Sequence, residues 1–230
     1  MKYKGVLLDL DNTLYDYDTA HRHALEKAIG FLSAESGMDE DRLREGYREA
    51  RAYVNKARAN TASSHCRALY FQRLCETLAL NPGRYVYEAD ELYWGTFIGR
   101  MPIFPDVPAF LDKISGLKLV LVTDLLAHIQ FRKIRAMGLD HWVSMVVTSE
   151  ETGVEKPNPV IFQVALQKIG LGVQDVCMIG DDFKKDIMGA VAMGIPAFWL
   201  NRKNEALPPE LSDKVTPYQD YETLRGYFDE

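Results

Sequence analysis

Apolar and polar positions follow two rhythms along this chain. Val6-Leu7-Leu8 is a short continuous apolar run that ends in Asp9-Leu10-Asp11-Asn12-Thr13. Such a run, bounded by turn-forming residues, predicts a buried strand. From residue 17 to 99 the spacing is helical almost throughout. Leu25, Ile29 and Leu32 recur at i, i+4 and i+7, and Gly37 supplies a stop. Residues 39–59 read as a second, charged helix. Ser63 or Ser64 is placed to cap a third, whose apolar face is Cys66, Leu69, Tyr70, Leu74 and Leu78. Asn81-Pro82-Gly83 breaks the chain, and a fourth helix covers residues 85–98. No strand signal interrupts this block, which predicts a compact helical bundle.

From Met101 the rhythm changes. Pro102, Pro105 and Pro108 mark a re-entry loop, and strands then alternate with helices. Strands are predicted over 117–122, 145–148, 176–179 and 197–200. Helices are predicted over 109–115, 125–137, 159–169 and 186–193, with a last one near 221–227. This alternation predicts an α/β fold: a Rossmann-like parallel sheet with helices on both faces, joined by the first strand across an all-helical insert. The expected domains are a discontinuous core of residues 1–15 and 100–230 and a helical insert of residues 16–99.

Four of the strands end in polar residues: Asp9 and Asp11; Thr123 and Asp124; Lys156 before Pro157 in the loop after the third; and Gly180-Asp181-Asp182 with Asp186 following. The carboxyl ends of parallel strands share one edge of the sheet, so these groups should converge. Asp9 and Asp11, two apart on an extended chain, face the same side. Two carboxylates that close repel unless a cation or a shared proton neutralises them, and Mg2+ is the natural partner. Taken singly, each group has an ordinary reading. Thr123 is a cap or turn residue, Lys156 a solvated charge, Gly180-Asp181-Asp182 a turn and the Asp9–Asp11 pair a capped turn. Taken in order, acids for a cation, a lysine, a hydroxyl and loop N–H groups suit a phosphate monoester.

The chain resembles the haloacid dehalogenase-like (HAD) hydrolase superfamily over nearly its whole length. The family's DxDxT stands as Asp9-Leu10-Asp11-Asn12-Thr13, its Ser/Thr as Thr123, its basic residue before Pro as Lys156-Pro157, and its GDxxxxD as Gly180-Asp181 to Asp186. The insert resembles the C1-type cap. The resemblance implies that Asp9 is the nucleophile, becoming an aspartyl phosphate, and that Asp11 is the general acid and base. It implies Mg2+ held by Asp9, Asp181 and the backbone carbonyl of Asp11. Lys156 would neutralise charge, with Asp186 orienting it or holding a metal-bound water. Asp182 stands between an outer metal role and a turn acid. Thr123, Asp124 and the backbone after Asp9, at Leu10 and Asp11, would line the phosphoryl oxygens. The dehalogenases lack an acid at the position of Asp11, because halide leaves without a proton. A phosphatase is therefore expected, with a phosphomutase or a non-catalytic HAD-fold binding protein as alternatives. The family commonly has Asn where this chain has Asp124, and Asp124 is expected to turn away and cap the helix beginning near Leu125.

Composition narrows the partners. The 230 residues carry a net charge of -6, which argues against nucleic acid. No apolar run approaches the ~20 residues of a membrane span, and no leader pattern precedes the first strand. Cys66, Cys75 and Cys177 show no CxxC spacing and fit a reducing cytoplasm. A small soluble phosphate, such as a sugar phosphate or nucleoside monophosphate, is expected, for a monomer or homodimer. Tyr15, Tyr17, His21, Arg22, Asn55, Arg58 and His65 are candidates for reading the leaving group. A phospho-signalling receiver also combines acids, Thr and Lys, but places its phosphoacceptor on a different strand from its acid pair and has half this length.

Overall fold

The computed structural model describes residues 2–229. Two compact units divide the chain: Met1–Asp16 with Pro102–Glu230, and Tyr17–Met101. The first unit holds one parallel sheet of six strands, β1 (Gly5–Leu8), β2 (Lys118–Thr123), β3 (Met145–Thr148), β4 (Val176–Gly180), β5 (Ala197–Leu200) and β6 (Val215–Tyr218). Their spatial order is β3-β2-β1-β4-β5-β6. In an open sheet of this order the crevice lies between β1 and β4, where the direction of winding reverses. Leu8 at the end of β1 pairs with Leu121 on one side and Ile179 on the other. Asp9 and Asp181, the residues that follow β1 and β4, therefore flank the switch point.

Helices cover both faces, so the central strands are buried throughout and read as unbroken apolar runs. Leu7, Val120, Val122, Met178 and Trp199 belong to one core with Phe162. The sequence pattern passed over β6. That strand sits at the edge, is four residues long and contains Pro217, features that edge strands tolerate and that hide them from pattern reading.

The second unit is four helices: α1 (Tyr17–Ser36), α2 (Glu40–Ala57), α3 (Arg67–Thr77) and α4 (Pro82–Ile98). Asp39 caps α2 by accepting from the N–H groups of Asp41 (3.0 Å) and Arg42 (3.2 Å). Asn81 caps α4, with Pro82 in its first turn. Two expectations are corrected. The buried stripe of α1 runs through Ala20, Ala24 and Ala28 beside Ile29 and Leu32, while Leu25 is only half-buried. Ser63 and Ser64 lie in a separate turn before α3, whose buried face is Arg67, Tyr70, Phe71, Leu74 and Cys75. A search for apolar spacing steps over a buried arginine, which moved the expected face round the helix.

The remaining helices belong to the sheet unit: α5 (Val107–Lys113), α6 (Ala127–Ala136), α7 (Ser149–Thr152), α8 (Pro159–Ile169), α9 (Met188–Ala192) and α10 (Tyr221–Arg225). A π-helical turn, Phe183–Ile187, leads into α9. Between β2 and α6 the chain makes a sharp turn in which Leu125 adopts φ +108°, a region that bulky residues rarely occupy. Its N–H donates to Ser149 Oγ (2.8 Å). Among the described residues no helix is long and apolar enough to cross a membrane.

Candidate active site

The carboxyl ends of β1, β2 and β4 and the loop after α7 bring the predicted groups together. Asp9 is 5 % exposed. Its Oδ2 accepts from Thr13 Oγ1 at 2.7 Å, and its Oδ1 lies 2.5 Å from Lys156 Nζ. Lys156 Nζ also pairs with Asp186 (2.8 Å) and donates to the Val122 carbonyl (2.9 Å). Thr13 Oγ1 reaches Asp181 Oδ1 at 3.1 Å. Gly180 lets Asp186 lie against the strand end, because a Cβ there would stand 2.4 Å from Asp186 Oδ2. Asn12 occupies the left-handed region at φ 61°, which asparagine tolerates, and turns the chain away after Asp11.

Charge is unbalanced here. Burial pushes the carboxyl groups of Asp9 and Asp186 upward against the pull of Lys156. Asp181 is raised to about 7, by burial first and then by the nearby Asp9 carboxylate. Burial favours neutral Lys156, yet Asp186, Asp9 and Asp124 hold its pKa well above the usual lysine value. One lysine thus faces three carboxyl groups, with oxygens of Asp9, Asp181 and Asp186 within 4.8 Å of one another. An all-oxygen set with two excess negative charges fits a hard divalent cation such as Mg2+.

Asp11 has a different environment. Its Oδ1 accepts from Lys133 Nζ (2.7 Å) and from the Tyr15 hydroxyl, and its Oδ2 from Gln130 Nε2 (3.1 Å). Burial alone would raise its pKa; Lys133, Tyr15 and Gln130 outweigh burial and lower it. Gln130 also donates to Thr123 Oγ1 (2.5 Å) and to the Asp124 carbonyl (2.8 Å).

One expectation about the neighbouring acids changes, and one open reading narrows. Asp124 does not cap α6: Leu126 holds the cap position, and the Ala127 N–H donates to Glu150 Oε2 (2.7 Å). The Asp124 carboxylate instead accepts from the Lys156 N–H (3.0 Å) and from Lys185 Nζ (2.9 Å). The Asp124 carboxylate is thus paired with a lysine 61 residues away in sequence. Asp182 caps the π-helical turn through the N–H groups of Lys184 (2.9 Å) and Lys185 (3.0 Å), the turn-acid reading. Leu10 is fully buried, and its carbonyl closes the turn by accepting from Leu14 N–H (3.0 Å).

A profile of the haloacid dehalogenase-like hydrolases matches residues 3–194. The chain belongs to that family. It is 34 % identical over 221 residues to a ribulose-1,5-bisphosphate 5-phosphatase of Halopiger xanaduensis, covering 92 % of this chain and 90 % of that protein. It is 33 % identical over 221 residues to a glyceraldehyde 3-phosphate phosphatase of Methanopyrus kandleri, covering 94 % and 92 %. Its fold is similar to a 2-haloacid dehalogenase of Pseudomonas syringae, with a TM-score of 0.76 at 23 % identity over 97 % of both chains. A dehalogenase shares the architecture, so the fold alone does not choose the reaction.

Within this HAD hydrolase, Gln130 and Lys133 went unpredicted. They lie three apart on α6 and are fully buried on the face that meets Asp11. Of the seven candidates for reading the leaving group, Tyr15 falls in the sheet unit, on Asp11. Arg22 and Arg58 are exposed. In the helical unit the others gather around Arg67, which was also missed. Arg67 donates to Tyr17 Oη and to the His65 carbonyl (2.5 Å), and lies 5.3–5.4 Å from the rings of Tyr70, Tyr93 and Trp94. His21 Nδ1 is 2.6 Å from Tyr93 Oη, and Asn55 accepts from Tyr70 Oη (2.7 Å).

Proposed function

We propose that this HAD hydrolase is a Mg2+-dependent phosphatase that hydrolyses a small soluble phosphate monoester, a sugar phosphate or nucleoside monophosphate, through an aspartyl phosphate on Asp9. That the enzyme is a phosphoric monoester hydrolase follows from its family and its phosphatase relatives. The observation that carries the finer reading is the pair of aspartates. Asp9 lies against Lys156, while Asp11, two residues on, is held separately by Lys133. One carboxylate is placed for attack and the other for proton transfer.

Asp9 attacks phosphorus and the bond to the leaving oxygen breaks. A sugar or nucleoside alkoxide needs a proton to leave; Asp11, ionised at rest beside Lys133, takes that proton from solvent when the anionic phosphate enters the site and then supplies it. Asp11, now a carboxylate, takes a proton from water, which attacks the same phosphorus. The bond to Asp9 breaks and inorganic phosphate is released. Lys156, fixed by Asp186, neutralises charge on the phosphoryl oxygens, and Thr13 orients Asp9 through its second oxygen. Asp9, Asp181 and Asp186 would hold Mg2+, which supplies charge neutralisation at the phosphoryl group when bound. Thr123 and the N–H groups after Asp9 donate to the remaining oxygens. The helical unit serves as a C1-type cap, and the three free cysteines favour a reducing cytoplasm.

The test is a panel of metabolite phosphates assayed for Mg2+-dependent phosphate release, with Asp9→Asn as the control. Asp9→Asn should lose at least ~10³-fold in kcat while folding as wild type. Full activity in a folded Asp9→Asn protein would remove Asp9 as nucleophile.

A further inference from the structure

The Asp11 carboxylate is tied by more groups than a lone general acid requires. Lys133 Nζ and the Tyr15 hydroxyl both reach Oδ1, and Gln130 Nε2 reaches Oδ2. Lys133 also lies 5.9 Å from the centre of the Tyr15 ring, so the donors pack on one another. Lys133, Gln130 and Tyr15 are all fully buried. Burying a lysine is costly without a partner, and here the partner is the carboxylate that the reaction uses twice. Gln130 then links Asp11 to Thr123 through a single amide nitrogen. These four residues come from two places: the loop after β1 gives Asp11 and Tyr15, and one face of α6 gives Gln130 and Lys133.

We propose that Lys133, Gln130 and Tyr15 are positioning residues that form a cradle, fixing the Asp11 carboxylate for both of its proton transfers and coupling its orientation to Thr123. The proposal rests on the phosphatase reading above. Its physical content is that a carboxylate free to rotate would lose alignment with the leaving oxygen. A displacement of about 1 Å can cost ~10²-fold. Such loss falls only on steps that need the proton.

Leaving-group dependence separates this role from general damage. A nitrophenolate leaves without a proton, whereas an alkoxide does not. For Lys133→Met, kcat/KM for an alkyl phosphate such as glycerol 3-phosphate should fall about 10- to 100-fold. For p-nitrophenyl phosphate it should fall at least about fivefold less, since formation of the phosphoenzyme from that ester bypasses the acid. In an Asp11→Asn background, adding Lys133→Met should cost less than about twofold, because the residue acts through Asp11. Tyr15→Phe removes a single hydroxyl and is the variant to read if Lys133→Met does not fold. It should show the same leaving-group bias, a few-fold in size. Equal loss on both esters, or an undiminished loss in the Asp11→Asn background, would overturn the cradle. Wild-type activity that survives Asp9→Asn would instead overturn the phosphatase reading beneath it.

Discussion

The two units bury cations in opposite ways. In the sheet unit, Lys156 and Lys133 are almost fully buried, and each touches a carboxylate within 2.8 Å. In the helical unit Arg67 is 4 % exposed, and its hydrogen bonds go to a tyrosine hydroxyl and a backbone carbonyl, with ring faces around it. A charge that pairs with an opposite charge creates mutual dependence, because removing either strands the other. A charge that rests on ring quadrupoles and neutral acceptors strands nothing charged. The sheet edge should therefore be brittle to substitution and responsive to cations, while the helical unit should be tolerant.

The largest effect should come from Lys156→Met. It leaves Asp9 and Asp186 buried without their cation, and urea unfolding should show a loss of about 3–5 kcal/mol. A loss below ~1 kcal/mol would show that the carboxyl groups relax at no cost and would break the contrast.

Next in size is the metal. Because Asp181 is raised to about 7 from its ordinary value of 3.8, the unfolded chain ionises it first. Metal-free stability should therefore decline as pH rises from ~4 through ~7. Mg2+ needs the ionised form, so its stabilisation should grow over the same window and reach about 2.7 kcal/mol at a hundredfold excess over Kd. Thermal shifts with Mg2+ at pH 5 and pH 8 check this; equal shifts would contradict it.

Arg67→Met is the matched test in the helical unit. It should change stability by less than about 2 kcal/mol, since the cation–π attraction it removes is offset by relief of a desolvation penalty. A loss as large as that of Lys156→Met would erase the distinction between the units.

The smallest effect is an acid flank. Burial, followed by Arg67 and Arg51, lowers His21 to about 4. Below pH ~6.5 the unfolded chain takes a proton that the folded one refuses, so stability falls with pH. About 1 kcal/mol should be lost between pH 6.5 and 5.5. Replacing His21 with Phe should flatten that slope in urea titrations.

Much of the candidate site was legible because its residues follow a chain rule. Asp9, Thr123 and Asp181 each stand at or just past a strand end, and parallel strands deliver such ends to one place; Lys156 comes from the loop after α7, beyond β3. The strands themselves were legible as apolar runs, except β6, where Pro217 and edge position removed the signal. Gln130 and Lys133 were not legible. A lysine on a helix reads as solvent-facing, and only the packing of α6 on the loop after β1 turns it inward. Arg67 was missed for the same reason. The direction of Asp124 depended on Lys185, a partner whose sequence distance carries no pattern.

The sequence by itself determined the α/β class, the helical insert and the order of acids and lysine along the carboxyl edge of the sheet. Those features are local: a hydrophobic period, a turn residue, a strand end. Tertiary structure alone decided which cation each carboxylate meets: Lys156 for Asp9, Lys133 for Asp11, Lys185 for Asp124. Coulomb pairing in a buried site depends on distances of a few ångströms between residues 61 to 147 positions apart. Folding sets those distances, and no local pattern in the chain records them.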